Sequence, residues 1–193
     1  MTTITVARGL AAKDYRAAAE IYFAAFARKF TPLLGADERA LKLIEDSIDP
    51  EMVIVAYEED RVVGVAGIHH ENRHFVRWNH QRFAQTFGWW SGTWRWLLGN
   101  LFVRHPKTEV LVMDGIAVAA DMRGRGVGSE LLEAVCAFAR DHGYKAVQLA
   151  VVDTNPRARQ LYERLGFQAQ RTEYYGVTGY FGFTAATTMQ RPV

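Results

Sequence analysis

Between Val110 and Gly128 the chain reads VLVMDGIAVAADMRGRGVG: an apolar run ending at Val118, a short polar connection, and a glycine-rich mouth to an amphipathic helix. Glycines there let a ligand reach the backbone, and the unpaired N–H groups at the positive end of the helix dipole attract an anion. Arg123-Gly124-Arg125-Gly126-Val127-Gly128 therefore points to a phosphate-bearing small molecule. A Walker A loop needs Gly-Lys-Ser/Thr, and no lysine stands nearby. A dinucleotide fingerprint needs G-x-G-x-x-G directly after a strand. Here the glycines alternate, Ser129 replaces the last one, and five residues separate Val118 from Gly124. Asp153 mimics that motif's ribose-binding acid, but too little chain remains for a second mononucleotide half. A ligand-free turn is the bland reading, and three glycines with two arginines at one helix start argue against it.

Asp114 interrupts an otherwise apolar strand and, by alternation, shares a face with Val112, Ile116 and Val118. A carboxylate in a buried strand is rare unless paired or functional. His69 and His70 close another apolar run, where histidines most often serve structure through hydrogen bonds.

The elements that must position these groups follow from periodicity. A short strand opens the chain at 4–8. Residues 12–27 form a helix whose stripe is Tyr15, Ala19, Tyr22, Phe23 and Phe26. A second helix spans 37–47 with Leu41 and Ile44 inward, and Pro50 lies beyond its end. Met52–Tyr57 and Arg61–Ile68, joined by Glu58-Glu59-Asp60, form a hairpin. After the segment 71–109 come strand 110–118, helix 127–142 closed by Gly143, and strand 145–152. Asn155 caps a helix with Pro156 at its first position, ending at Gly166, and two strands around 176–182 finish the chain.

The segment 71–109 stands apart. It holds all five tryptophans and six basic residues against two acidic ones. Phe83, Phe87, Trp90, Trp94, Leu97 and Leu101 step by four and three, which predicts a helical insertion with one apolar stripe. Gly88, Gly92 and Gly99 are candidate breaks. The stripe predicts packing on the first two helices, where the insertion would wall a cleft. Trp89 and Trp96, beside it, are left to meet a ligand or a second subunit. Interleaved Trp and Arg also suit base stacking, but aromatics on one helical face favour packing.

At 193 residues and net charge +2, composition is that of one globular domain over 1–193, and no nucleic-acid partner follows from charge. The single Cys136 lies in a helix pattern as a core residue, consistent with a reducing compartment. No signal peptide opens the chain and no apolar run reaches spanning length, so a cytoplasmic protein without integral membrane contact is expected.

Two motifs carry a family resemblance. Arg123-x-x-Gly126-x-Gly128 resembles the R/Q-x-x-G-x-G/A signature of the GNAT superfamily of CoA-dependent N-acyltransferases. Asn155-x-x-Ala158-x-x-Leu161-Tyr162-x-x-Leu165-Gly166-Phe167 resembles that family's N-x-x-A-x-x-L-Y-x-x-x-G-F segment. The resemblance is strongest over Val110–Phe167 and is silent on the insertion. It implies an α/β (α+β) fold, a mixed twisted sheet flanked by helices, with the aromatic insertion before the fourth strand. It implies acetyl-CoA as cosubstrate, no metal, and a small-molecule or peptide amine as acceptor. Strands four and five splay in such a fold. The backbone of Ile116, Ala117 and Val118 would then pair with the pantetheine arm. The amides of Gly124, Arg125, Gly126, Val127, Gly128 and Ser129 would hold the pyrophosphate, with charge from Arg123 and Arg125 and a further cofactor contact at Asn155. The Val118 N–H stands where the oxyanion donor belongs, and Tyr162 where a tyrosine serves as general acid. Many relatives carry a glutamate base at the position of Val112, so Asp114, one strand repeat away, is read as base, as substrate-positioning group or as structural partner. His69, His70 and a water chain are further candidates for base. A homodimer through the insertion stays open, as does a non-catalytic acyl-CoA-binding regulatory module.

Overall fold

The computed structural model describes residues 3–100, 109–175 and 182–193. Seven strands form one sheet: Ile4–Arg8 (β1), Val53–Glu58 (β2), Arg61–His69 (β3), Val110–Val118 (β4), Ala146–Val152 (β5), Gln168–Tyr174 (β6) and Ala185–Pro192 (β7). Their order is β1-β2-β3-β4-β5-β7-β6. All neighbours run antiparallel except β4 and β5, which are parallel. The central strands β2 and β3 are buried almost throughout, as expected where helices cover both faces. Alternation sends Val53 and Val55 into one core and Ile54 and Ala56 into the other.

One face carries Tyr15–Ala25 (α1), Ala27–Leu34 (α2), Glu38–Ser47 (α3), His80–Phe87 (α4) and Trp89–Asn100 (α5). The other carries Val127–Asp141 (α6) and Pro156–Arg164 (α7). Of these, α6 presents Val127, Leu131, Leu132, Val135, Phe138 and Ala139 to the sheet, the stripe its sequence shows. Asp37 caps α3 by accepting from the Ala40 N–H, and Asn155 caps α7 by accepting from the Ala158 N–H. Gly143 follows α6 with φ +74°, the left-handed position its sequence signals.

The expected helix 12–27 is a short opening 3-10 turn and α1, which ends at Ala25 where the backbone breaks at Phe26 (φ −109°, ψ 20°). The segment beyond, α2, contains Pro32 and has no counterpart in the sequence reading.

The insertion departs further. Its two helices meet at Gly88, whose φ of +82° ends α4 and restarts the chain in a new direction. The periodic stripe cannot run through that break. Phe83 is fully buried, and Phe87 and Trp96 pack on the same core, but Trp90 is 81 % exposed and Trp94 and Leu97 also face outward. The α4–α5 contact is made by Gly92, where a Cβ would stand 2.4 Å from the Phe83 carbonyl oxygen. The packing argument therefore holds for Phe83 and Phe87, and Trp96 joins them in place of Trp90 and Trp94. Leu101 and Phe102 lie outside the described residues. Packing against α3 and α2 does occur. Arg95 lies over the Phe87 and Trp94 rings and donates to the Leu33 carbonyl at the end of α2, a cation at a helix C-terminus. Among the described residues no helix is long and apolar enough to cross a membrane.

Candidate active site at the gap between two strands

β4 and β5 pair over Val110–Val112 against Ala146–Gln148 and then part. Beyond that point β4 keeps its partner on one side alone. Ala119 N donates to Val63 O at 2.9 Å, and the alternation of an antiparallel ladder then turns the amides of Ala117 toward β3 as well. Ile116 and Val118 point their backbone groups the other way, into the gap. Of the three residues expected to meet a pantetheine arm, Ile116 and Val118 fit and Ala117 does not: its amides belong to Val65 and its side chain is buried in the α1-side core. The Val118 carbonyl accepts from Arg123 Nε at 3.3 Å, which ties that arginine to the rim of the gap.

The glycine loop lies at the rim. Gly124 (φ +79°) and Gly126 (φ +88°) both adopt the left-handed conformation, and a Cβ on either would meet nothing within 4 Å. The space above the loop is open, so a ligand can reach its backbone. Gly126 is the N-cap of α6. Ser129 N donates to Gly126 O at 2.8 Å and Glu130 N to the same oxygen at 3.1 Å. Ser129 therefore spends its amide inside the helix and leaves the expected anion set, while Val127 and Gly128 head the helix. The residues fit a diphosphate by backbone. Arg125 is engaged elsewhere: its Nη2 lies 3.0 Å from Glu58 Oε1, joining the loop to the hairpin. Asn155 spends its side-chain oxygen on the cap of α7. Asp153, the mimic of a ribose acid, instead accepts from the Thr184 N–H and hydroxyl and joins β5 to β7.

Tyr162 is reversed relative to its neighbours. The sequence puts Leu161 and Leu165 in the core and Tyr162 at an edge. In the structure Tyr162 is 6 % exposed and the two leucines are half-buried. Its ring packs on Phe167, centroids 6.0 Å apart, and burial pushes its hydroxyl up to about 12. It is protonated at neutral pH, as a proton donor must be. Leu161 lies 3.2 Å from where a Gly128 Cβ would be, so α7 closes against the glycine loop.

At the other end of the gap stands Asp114. Gly67 pairs with Gly115 and Ile68 with Met113, so Asp114 is the extra residue of a β-bulge. The bulge breaks the alternation that placed Asp114 with Ile116 and Val118. Those two pack toward α6, whereas Asp114 turns to the α1 face. There Oδ2 accepts from the Phe75 N–H at 2.9 Å and Oδ1 lies 3.4 Å from His74 Nδ1. Tyr22 points its hydroxyl at the Asp114 carbonyl, 3.5 Å away, and Phe26 sits so close over Gly115 that a Cβ there would meet its ring at 2.6 Å. Burial, then the Asp114 charge, raises the Tyr22 hydroxyl far above the usual tyrosine range.

The two expected histidines separate. His70 Nδ1 is 2.7 Å from the Tyr144 hydroxyl and packs edge-on to Phe138, on the α6 face, where burial lowers its pKa. His69 faces the other way and lies against His74 with ring centroids 3.7 Å apart and planes tilted by 39°. His74 has no counterpart in the sequence reading. It lies in an irregular stretch with no periodicity, and only the fold carries it to Asp114. Cys136 is buried in α6 with its thiol pushed up by desolvation, unsuited to nucleophilic work.

The model of the acetyltransferase (GNAT) family matches residues 15–167. A probable N-acetyltransferase camello of Xenopus tropicalis is 38 % identical over 86 residues, 42 % of this chain and 39 % of that protein. The thialysine N-epsilon-acetyltransferase of Bos taurus is 40 % identical over 62 residues, 32 % of this chain and 36 % of that protein. The aligned stretches thus span less than two fifths of these relatives. Among solved structures, a GCN5-related N-acetyltransferase from Kribbella flavida superposes with a TM-score of 0.63 at 22 % identity, covering 98 % of each chain. An agmatine N-acetyltransferase mutant superposes with a TM-score of 0.59 at 17 % identity, covering 98 % of this chain and 99 % of that one. Such likenesses show the fold, and the parted strands with a glycine-capped helix beside them are found where the family model runs: this chain belongs to the acetyltransferase (GNAT) family.

Proposed function

We propose that this chain transfers an acetyl group from acetyl-CoA to a primary amine by direct attack in a ternary complex. The observation that carries the reading is the open edge of β4, Ile116 and Val118, leading from the cradle at Gly124–Gly128 to the bulge at Asp114. Backbone amides at 126–128 hold the diphosphate, with Arg123 at the rim. The edge of β4, Val118 and then Ile116, pairs with the pantetheine amides and carries the thioester to the bulge; Val118, about 13 Å along the strand from Asp114, is too near the glycine loop for the oxyanion role expected of it. Tyr162 donates a proton to the departing thiolate. Asp114 stands at the acceptor end, beside Tyr22 and Phe26. The inert Cys136 supports direct transfer over a covalent acyl-cysteine. A relative named for thialysine supports a side-chain primary amine as acceptor. The outward Trp89, Trp90, Trp94 and Leu97 support contact with a second copy of the chain.

A non-catalytic acyl-CoA-binding module is the rival, favoured by the deep burial of Tyr162. Thiol release from acetyl-CoA separates the two. With thialysine, agmatine and an alanine-terminated peptide as acceptors, a transferase releases thiol in proportion to acetylated amine. A module binds acetyl-CoA and releases none.

A further inference from the structure

The transfer needs a group that takes the proton from the acceptor ammonium, because only the neutral amine has a lone pair to attack with. Asp114 is poorly placed to be that group alone, since one oxygen is held by the Phe75 N–H and the other faces His74. We propose that His74 is the proton acceptor and that Asp114 is its positioning residue. The inference deepens the transferase reading and rests on it.

The geometry is a dyad held from both sides. Arg73, one residue before His74, forks onto buried Asp49 with Nε–Oδ2 2.9 Å and Nη2–Oδ1 2.7 Å. Phe75, one residue after, accepts from the Asp49 N–H at 2.8 Å and donates to Asp114 at 2.9 Å. The turn at Glu71 and Asn72, both with positive φ, is closed by reciprocal His70–Arg73 backbone bonds. His74 thus has little freedom. Its Nδ1 is beside Asp114, which fixes the tautomer and leaves Nε2 as the basic nitrogen. The side chain is 29 % exposed, so one edge of the ring reaches solvent.

The charged and titratable groups around it are few. From β4 comes the Asp114 carboxylate, from β3 the tilted His69 ring, and from α1 the Tyr22 hydroxyl against the Asp114 carbonyl. Arg73 is drawn off to Asp49 and Glu51.

The step balances. The ammonium gives one proton to His74 Nε2, and the neutral amine attacks the thioester carbonyl, forming the C–N bond. The C–S bond breaks as Tyr162 protonates the thiolate. The second proton of the new amide nitrogen returns to Tyr162 through water, and the imidazolium releases its proton to solvent.

The test has two arms. In the first, kcat/KM is followed against pH for the wild type, His74→Gln and Asp114→Asn, with thialysine and agmatine as acceptors and the acetyl-CoA Kd measured for each. The expected result is a fall of about a hundredfold or more for His74→Gln, loss of the acidic limb, and an unchanged acetyl-CoA Kd. In the second, the 15N shifts of His74 are titrated without substrate in the wild type and in Asp114→Asn. The expected result is a changed tautomer ratio in Asp114→Asn, which requires no turnover. His74→Gln with wild-type rate and acidic limb overturns the proposal, as does a His74 signal indifferent to Asp114→Asn. The polar atoms of His69, His74 and Asp114 lie within 4.8 Å of one another, so activity lost to a chelator and restored by zinc also overturns it and gives the cluster to a cation. A wild type that binds acetyl-CoA and acetylates neither amine refutes the transferase reading itself. Failure of the variants alone refutes the dyad.

Discussion

Gly128→Glu separates phosphate binding from folding. Gly128 is the second residue of α6, and its missing Cβ would point at Leu161 Cδ2, 3.2 Å away, and at Val118 Cγ2, 3.9 Å away. A side chain there enters the space between β4 and α7. Leu161 must give by a few tenths of an ångström, which the far end of a flexible side chain can do. Against that cost stands a helix-propensity gain of about 0.5 kcal/mol over glycine. A carboxylate in the first turn adds about 0.3–1 kcal/mol through the dipole. The free protein should therefore keep its Tm within about 3 °C of wild type. Ligand binding behaves oppositely, because the carboxylate occupies the anion site and repels a diphosphate. Wild type at a hundredfold excess of CoA over Kd gains about 2.7 kcal/mol. For a chain of this size that is a Tm rise of about 5–11 °C. Gly128→Glu should show none of it. Gly126→Ala is the converse control. Its neighbourhood is empty but its φ is +88°, so it loses about 1–2 kcal/mol of stability through backbone strain alone. Scanning fluorimetry of the three proteins with and without CoA reads both effects. A Gly128→Glu protein that folds as wild type and keeps the full CoA shift would refute the backbone cradle.

Tyr162→Phe keeps the ring against Phe167 and removes the proton donor, so kcat should fall about ten- to a thousandfold at unchanged acetyl-CoA Kd, by stopped-flow thiol release with chemistry shown to limit. Gly92→Ala should cost about 1–3 kcal/mol in urea unfolding, since its Cβ meets Phe83 backbone at 2.4 Å, while CoA affinity stays. Burial lowers the His70 pKa from 6.5, so its contribution to stability is present above pH 6.5 and is lost as pH falls through the lower folded value. His70→Gln should flatten that acid limb of the stability–pH profile measured by urea unfolding. If the tryptophan face of α5 pairs two copies, Trp90→Ser with Leu97→Ser should shift the protein to monomer by light scattering, and an unchanged mass at every concentration removes the dimer.

The order of strands and helices was legible because each periodic run is long and ends in its own stop signal. Strand 110–118, the Asn155 cap and the left-handed Gly143 stand where their residues place them. Periodicity failed where one residue changes the phase. Gly88 turns the chain between α4 and α5, so Trp90 and Trp94 continue the numerical pattern but not the buried face. Asp114 is displaced by a bulge that no residue type announces, and the same bulge moves Ile116 and Val118 to the opposite side. Tyr162 and Leu161 exchange roles because α7 turns Leu161 toward Gly128 and Tyr162 toward Phe167 in the core. His74 is tertiary in origin. Asp49 and Asp114, far from it in sequence and from each other, hold its two neighbours Arg73 and Phe75, and none of those contacts leaves a local mark.

A single-turnover experiment with radiolabelled acetyl-CoA and excess enzyme addresses direct transfer most closely. After rapid mixing with thialysine or agmatine, the account predicts label on the amine at the rate of thiol release, no label on protein at any time, and no thiol release without amine. Label held on the protein before the amine, or thiol release that ignores the amine, would contradict it.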